Sequence, residues 1–398
     1  MLSKVDPEKY SVAKDTRFLL FDVNLGEGFN LRRDVYMRVA NTIRLLRLAG
    51  ENFILVLPAW GGLYHWQRQA VKVPWGEFFD VPSLNRFVPV IELDDFLKIH
   101  PTGLIDDVVY LQHYAEGWGT EFVRKFDKRP CMSGEKFYKR NGDFWKGWFY
   151  SYDELKAKNF ECVSIQGDSA TLKDLILKDY KKSKVLFIDR AETILHDNYG
   201  DEFYWQARRS MRYSKKLVEA ADKFRKEKLS STDEKDKTLI KENWQDDQPR
   251  RNAKGGPFVC THWRRRDFLR SRKADLPSIN GTAIQLVKLT KKYKVKKIFL
   301  ATDAPDSEVE ELRKEIGDAA ELFQFKDDRF IDGAIAIIDQ WICSHAIYFT
   351  GSCESTFSFR IQEDREILGF RPELTFNRMC PDDPATECQQ PSKWTIAF

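Results

Sequence analysis

The sequence has no apolar run approaching the ~20 residues that cross a bilayer, so nothing in it reads as a membrane helix. It also has little net charge, since 65 basic and 61 acidic side chains leave only +4. That balance gives no global case for nucleic acid or a membrane surface as partner. Several ligand motifs are missing. There is no GxxxxGK[ST], which removes the P-loop. GEGFNL lacks the last glycine of GxGxxG, so the dinucleotide fingerprint fails. No DxD occurs, which removes the simplest metal–diphosphate motif. No cysteine pair has CxxC spacing and the six histidines form no HExxH, so the common zinc signatures are absent. The opening MLSKVDPEKY is polar and does not read as a signal peptide. Internal repeats, heptads and low-complexity tracts are absent too.

The 398 residues are enough for two domains, each with its own core. Aromatics reach 14%, which suits either a broad binding cleft or large cores. Of the seven cysteines, Cys380 and Cys388 flank CPDDPATEC. A disulfide there would close a short loop that has little other means of order. Cys260, Cys343 and Cys353 sit in or beside apolar runs and read as buried thiols. Asn280-Gly281-Thr282 is a sequon, usable only in a secretory compartment. Together these features lean towards the secretory pathway.

The chain begins with a βαβ signature. RFLLFDV (17–23) reads as a buried strand. Val35, Val39, Ile43 and Leu46 then recur at helical spacing, Gly50 stops the helix, and NFILVLP (52–58) is the next strand. Strand, helix and strand within about forty residues argue for a parallel sheet. KVLFID (184–189) is a further strand. A charged stretch over 222–256, ending in Pro249 and two glycines, reads as an exposed helix followed by a linker. The α/β pattern then restarts, with strands at 257–263, 296–303 and 346–352 separated by helices.

In open α/β sheets ligands bind beyond the carboxyl ends of the strands. The first strand after the charged stretch ends in HWRRRDFLR. Alternation puts His262 and Arg264 on one face and Arg265 on the other. This arginine cluster is either a basic surface loop or a phosphate site, for which the guanidinium fork is suited. In GSCESTFSFR, Ser355 and Thr356 precede a helix, where they serve as an N-cap or leave backbone N–H groups for an anion. Asp339 lies on an apolar helix face and needs a donor, which a guanine base, an arginine or a serine would supply. Thr302 and Asp303 close the neighbouring strand and read as capping residues.

These blocks, in this order, resemble the protein O-fucosyltransferases, and within them the branch that acts on thrombospondin type 1 repeats. FDVNLGEGFNLRRDVYMRVANTIRLL looks like that branch's N-terminal block. HWRRRDF looks like the HxRR element of fucosyltransferases that use GDP-fucose, and FLATDA and GSCESTFSFR look like later motifs. The resemblance covers nearly the whole chain. It implies an α/β fold of the GT-B class, with two Rossmann-like domains facing across a cleft. Residues 1–245 would carry the catalytic base and the acceptor side, and 246–398 would bind GDP-fucose. It implies an inverting peptide-O-fucosyltransferase of the endoplasmic reticulum lumen that needs no metal or other cofactor. The partners would be GDP-fucose and Ser or Thr of an already folded repeat.

Carried over residue by residue, the resemblance makes Glu27 the base. Gly28, Phe29 and Asn30 would lie beside the phosphates and fucose. His262 would meet the nucleoside, Arg264 the β-phosphate as a catalytic contact, and Asp339 the guanine. Ser355, Thr356 and Phe357 would hold the diphosphate. Cys131–Cys162 and Cys380–Cys388 look like family disulfides. One departure is Leu25-Gly26 ahead of Glu27, where the family tends to have proline. Two other readings stay open at this point: transfer to EGF-like repeats, and a non-catalytic nucleotide-sugar or glycoprotein-binding module. Glu27 and Arg264 together favour an enzyme, since a binding-only protein has no use for the base. PAWGGLYHW (58–66), WGEFF (75–79) and DFWKGWFYSY (143–152) make the N-terminal half aromatic, as core packing or as the wall of an acceptor groove.

Overall fold

A computed structural model describes residues 10, 12–63, 66, 72–117, 119, 121–194, 200–383, 388, 390 and 394–398. The start of the polar N-terminal stretch, residues 64 and 65 of the first aromatic stretch, and residues 384–387 inside the CPDDPATEC loop lie outside the described residues. The chain divides into two compact units, Met1–Arg212 and Tyr213–Phe398.

In the first unit, β1 (Arg17–Phe21) runs into α1 (Phe29–Leu48) and then β2 (Phe53–Leu57). Every residue of β1 and β2 is buried, as their unbroken apolar runs require of strands covered on both faces. Val35, Val39, Ile43 and Leu46 of α1 are fully buried, so the helical spacing seen in the sequence is the packed face. The sheet continues through β3 (Val90–Glu92), β4 (Leu104–Gln112), β5 (Lys125–Lys128), β6 (Lys139–Asn141), β7 (Phe144–Lys146), β8 (Lys156–Gln166), α2 (Ser169–Asp179) and β9 (Val185–Asp189). Its order is β3-β2-β1-β9-β4-β8-β7-β6, with β5 also on β8. The run from β3 to β8 is parallel, while β5, β6 and β7 are antiparallel additions.

The second unit holds α3 (Lys215–Phe224), β10 (Gly256–Trp263), α4 (Ile279–Tyr293), β11 (Lys297–Thr302), α5 (Asp306–Ile316), β12 (Glu321–Phe323), α6 (Asp332–Ser344), β13 (Ala346–Gly351), α7 (Thr356–Leu368) and β14 (Asn377–Arg378). The strands form one parallel sheet in the order β12-β11-β10-β13-β14. In its register His262 sits opposite Gly351 and Trp263 opposite Thr302, so the strand ends of interest lie side by side.

The second unit begins at Tyr213, well before the boundary at 245/246 that the sequence suggests. The charged stretch is folded into this unit. Leu217 and Ala221 of α3 are buried, and Arg225 is 1% exposed. Its guanidinium lies 2.7 Å from Asp222, 2.9 Å from Asp233 and 3.2 Å from Asp236. The Pro/Gly segment is no loose linker either. Lys254 and Gly255 donate to the Asp236 carbonyl, and Gly256 donates to that of His345. Gly255 has φ +78°, and a Cβ there would stand 2.5 Å from the Ala346 carbonyl oxygen. Charge and glycine content misled because the charges neutralise one another inside the fold.

Three disulfides are present among the described residues: Cys131–Cys162, Cys380–Cys388 and Cys260–Cys343. The third corrects the reading of free buried thiols. Cys260 and Cys343 are fully buried but bonded, which ties β10 to α6. Cys353 is free and only half-buried, with Arg378 Nη1 at 3.1 Å from its sulfur.

Burial alone would raise the Asp233 carboxyl, but His345, whose Nε2 lies 3.3 Å away, and the charge of Arg225 outweigh it and hold it well below the ordinary range. A carboxyl depressed in this way stabilises the fold at neutral pH and loses that contribution as pH falls through its folded value. Arg225→Ala strands buried Asp236 without its cation, so it should cost about 3–5 kcal/mol at pH 7. Urea unfolding followed by fluorescence at pH 7 and pH 3 checks this, and the penalty should shrink at the lower pH.

Candidate active site

Ser352 joins the carboxyl ends of β10 and β13. Its amide donates to the His262 carbonyl at 3.0 Å, and its hydroxyl accepts from the Arg264 amide at 2.9 Å. Gly351, just before it, lets α7 come close, since a Cβ there would lie 2.5 Å from Ser358 Oγ. This packing brings Ser358 Oγ to 2.9 Å from His262 Nδ1 and stacks the Phe357 ring on the imidazole, with centroids 4.2 Å apart. Burial, and then the charge of Arg264, push the His262 pKa down to about 3, so the ring is neutral at pH 7.

Arg264 is partly exposed. Its Nε and Nη2 donate to the two carboxylate oxygens of Asp267 at 2.9 and 3.1 Å, and Asp303 Oδ2 lies 3.2 Å from Nε. Arg265 turns the other way, over the Trp263 ring and onto Glu308 at 2.6 Å, as strand alternation requires. Arg266 and Arg270 are exposed. Asp303 therefore does more than cap, because it receives the Arg265 amide at 2.7 Å and sets the charge around Arg264. Its place at the end of a strand beside the arginines was the available sequence signal.

α7 starts at Thr356, with buried Ser355 as its N-cap residue. No side chain caps this end, so the hydroxyls do not serve as the simple cap that the sequence allows. A thirteen-residue helix thus presents first-turn N–H groups beside Arg264's strand. Asp339 lies on α6, which packs on α7 and on β10. Its Oδ1 is shut off from solvent and has no hydrogen-bond partner among the described residues. Burial raises its carboxyl well above the ordinary range. A buried orphan oxygen of this kind fits a ligand that brings N–H donors. No hydrogen bond or ring contact links Asp339 directly to the His262–Phe357 pair.

In the first unit, Asp22 follows β1, and a turn from Asn24 to Glu27 leads to Gly28, the N-cap residue of α1. Gly28 has φ −78°, so a left-handed backbone is not the reason for glycine here. Glu27 is half-buried, and no described residue bonds its carboxylate. The Phe29 ring is buried against Trp60, Trp66 and Phe78, which leaves only its main chain for a ligand. Asn30 Oδ1 accepts from Arg33 at 3.2 Å.

A cluster that sequence reasoning missed lies at the neighbouring strand end. Asp189 is half-buried and accepts from Tyr138 at 2.7 Å. Burial and the nearby Asp22 push its pKa up to about 7. Arg190 beside it adopts φ +61° and reaches the Tyr110 hydroxyl at 2.9 Å. KVLFID showed the strand but gave no sign that its last residue would lie close to Asp22 and bond Tyr138.

The aromatic stretches divide. Trp60, Trp75, Phe78 and Phe79 form core around Phe29 and Tyr36. Trp148 is 50% exposed, and with Leu25, Phe137 and Asp189 it lines a shallow surface pocket. Asn280 is exposed on the first turn of α4, while the hydroxyl of Thr282 is buried and donates to the Ser278 carbonyl.

The comparisons with known proteins converge. The profile of the GDP-fucose protein O-fucosyltransferase family matches residues 18–368. The chain is 59% identical to GDP-fucose protein O-fucosyltransferase 2 of Caenorhabditis elegans over 401 residues, covering 100% of this chain and 94% of that one. It is 43% identical to the human protein of the same name, covering 97% and 91%. Its fold is that of POFUT1 in a crystal structure with GDP, with TM-score 0.58, 15% identity, and coverage of 90% and 97%. This establishes the GT-B class expected from the sequence. The chain belongs to the GDP-fucose protein O-fucosyltransferase family.

Proposed function

We propose that this enzyme moves fucose from GDP-fucose to a Ser or Thr hydroxyl of a folded thrombospondin type 1 repeat, with inversion at the anomeric carbon. The observation that carries the donor side is the end of β10, where Arg264, the stacked His262–Phe357 pair and the uncapped start of α7 come together. The acceptor class rests on the ordered blocks shared with the branch that modifies such repeats, and relatives named for the type 2 enzyme agree with it.

In this reading the hydroxyl attacks C1 as Glu27 takes its proton, and the C1–O bond to GDP breaks with its electron pair going to the diphosphate. Glu27 supplies roughly 10²–10⁴-fold, or about 3–5 kcal/mol. The leaving group needs charge stabilisation more than a proton. Arg264 and the N–H groups around Ser355, Thr356 and Phe357 provide it, each such contact being worth about 3–4 kcal/mol in a dry site. Arg264 must leave Asp267 to do this. Neutral His262 offers its flat face and no charge to the nucleoside. Asp339 receives the N–H donors of guanine, and the Gly28–Asn30 main chain lies by the sugar and phosphates. A metal has no step in this scheme.

The compartment proposed is the endoplasmic reticulum lumen. Three disulfides and an exposed sequon asparagine support it. Among the described residues no helix is long and apolar enough to cross a membrane.

Glu27→Gln should bind GDP normally in calorimetry yet fail to transfer fucose. Intact transfer by that variant would remove Glu27 as the base. Arg264→Ala should lose at least as much kcat/KM as Glu27→Ala, roughly 10²–10³-fold. Incubation with GDP-fucose and EDTA, followed by mass measurement, should add one fucose to folded thrombospondin type 1 repeats. A gain only on folded EGF-like repeats would reassign the acceptor, and silence that added metal ions relieve would overturn the metal-free scheme.

A further inference from the structure

The loop that carries Glu27 has little to hold it in place. Leu25 is 45% exposed and Gly26 is exposed, and a Cβ on Gly26 would meet nothing nearer than Asn24 Nδ2 at 3.8 Å. No proline stiffens it. A free loop of this kind would spread its carboxylate over many positions, and a base displaced by 1 Å can cost ~10²-fold in rate.

One side chain grips the loop. Arg32, in the first turn of α1, is 14% exposed. Its Nε donates to the Glu27 carbonyl at 3.2 Å, its Nη2 to the Asn24 carbonyl at 3.4 Å, and its Nη1 to Asp22 Oδ1 at 2.9 Å. The same Asp22 oxygen accepts the Val23 amide at 2.8 Å, so the anchor is itself fixed. From the other side, Glu192 Oε2 accepts the Asn24 amide at 3.2 Å. The three guanidinium bonds tie the strand end, the start of the turn and the residue bearing the carboxylate to a long buried helix. A planar fork can do this from one position, whereas an ammonium is a single compact charge.

We propose that Arg32 is the positioning residue of the reaction. It fixes the main chain of Glu27 so that the carboxylate points at the acceptor hydroxyl, and it acts through Glu27 without touching the donor. This rests on the reading of Glu27 as the base. The bonds that Arg32 makes are all within the first unit, whereas the groups assigned to the nucleoside and diphosphate are carried by the second.

The experiment compares Arg32→Ala and Arg32→Lys in the full chain, each alone and combined with Glu27→Gln. The measurements are kcat, KM for GDP-fucose, GDP affinity by calorimetry and Tm, with residual transfer read by mass spectrometry. Arg32→Ala should lower kcat by ~10–100-fold, with GDP affinity and KM within about twofold. Arg32→Lys, which keeps a charge for Asp22, should recover part of the loss. In the Glu27→Gln background neither change should cost more, because the group being aimed is already gone. Equal losses in both backgrounds, or an unchanged kcat in Arg32→Ala, would overturn the proposal. If Arg32→Ala does not fold, Arg32→Lys carries the same comparison between backgrounds. Full transfer by Glu27→Gln alone removes the base and this role with it. Loss in Glu27→Gln with none in the Arg32 variants removes this role only.

Discussion

The join at Ser352 sets the geometry of the site proposed for the donor. A parallel strand pair normally ends in unpaired carbonyls and amides, which water satisfies. Here one serine takes the His262 carbonyl and the Arg264 amide, so the two chains leave the sheet already tied together. That tie fixes where Arg264 emerges and where α7 begins. Gly351 then admits the helix closely enough for Ser358 and Phe357 to reach His262. The stacked pair, the arginine and the helix terminus are products of one local constraint, and none is placed independently.

Asp339 and the Asp22–Asp189 pair show the same fold holding carboxyls where burial opposes their charged form. The first has an oxygen with no partner among the described residues. The second pair is supported by Arg32, Tyr138 and the Arg190 amide. Buried carboxyls of this sort cost stability unless something repays the desolvation. In the second unit no described side chain offsets the cost for Asp339 Oδ1. In the first unit the protein supplies that offset from its own side chains.

The strands and helices around the sites were legible because their patterns are strong. RFLLF and FILVL are uniformly apolar, and α1 repeats its apolar face at helical spacing. HWRRRDF could be placed at a strand end, and alternation correctly separated Arg264 from Arg265. What stayed hidden depends on contacts distant in sequence. β4 was missed because Asp106 and Asp107 interrupt it, and those carboxylates are paid for by Lys158, Ser183 and the amides of Lys184 and Val185. The stretch after Tyr213 looked like solvent-exposed charge because no pattern announces that Arg225 will meet three aspartates. The burial of Phe29 away from the loop, and the raised pKa of Asp189, follow from packing that periodicity does not encode.

The bond between Cys260 and Cys343 has a bearing on more than stability. Its two cysteines, eighty-three residues apart, link the strand that carries His262 to the helix that carries Asp339. The two groups proposed for the nucleoside therefore sit on elements joined by one covalent tie. Oxidation of that one thiol pair fixes β10 against α6, the two elements from which the proposed donor pocket would be built.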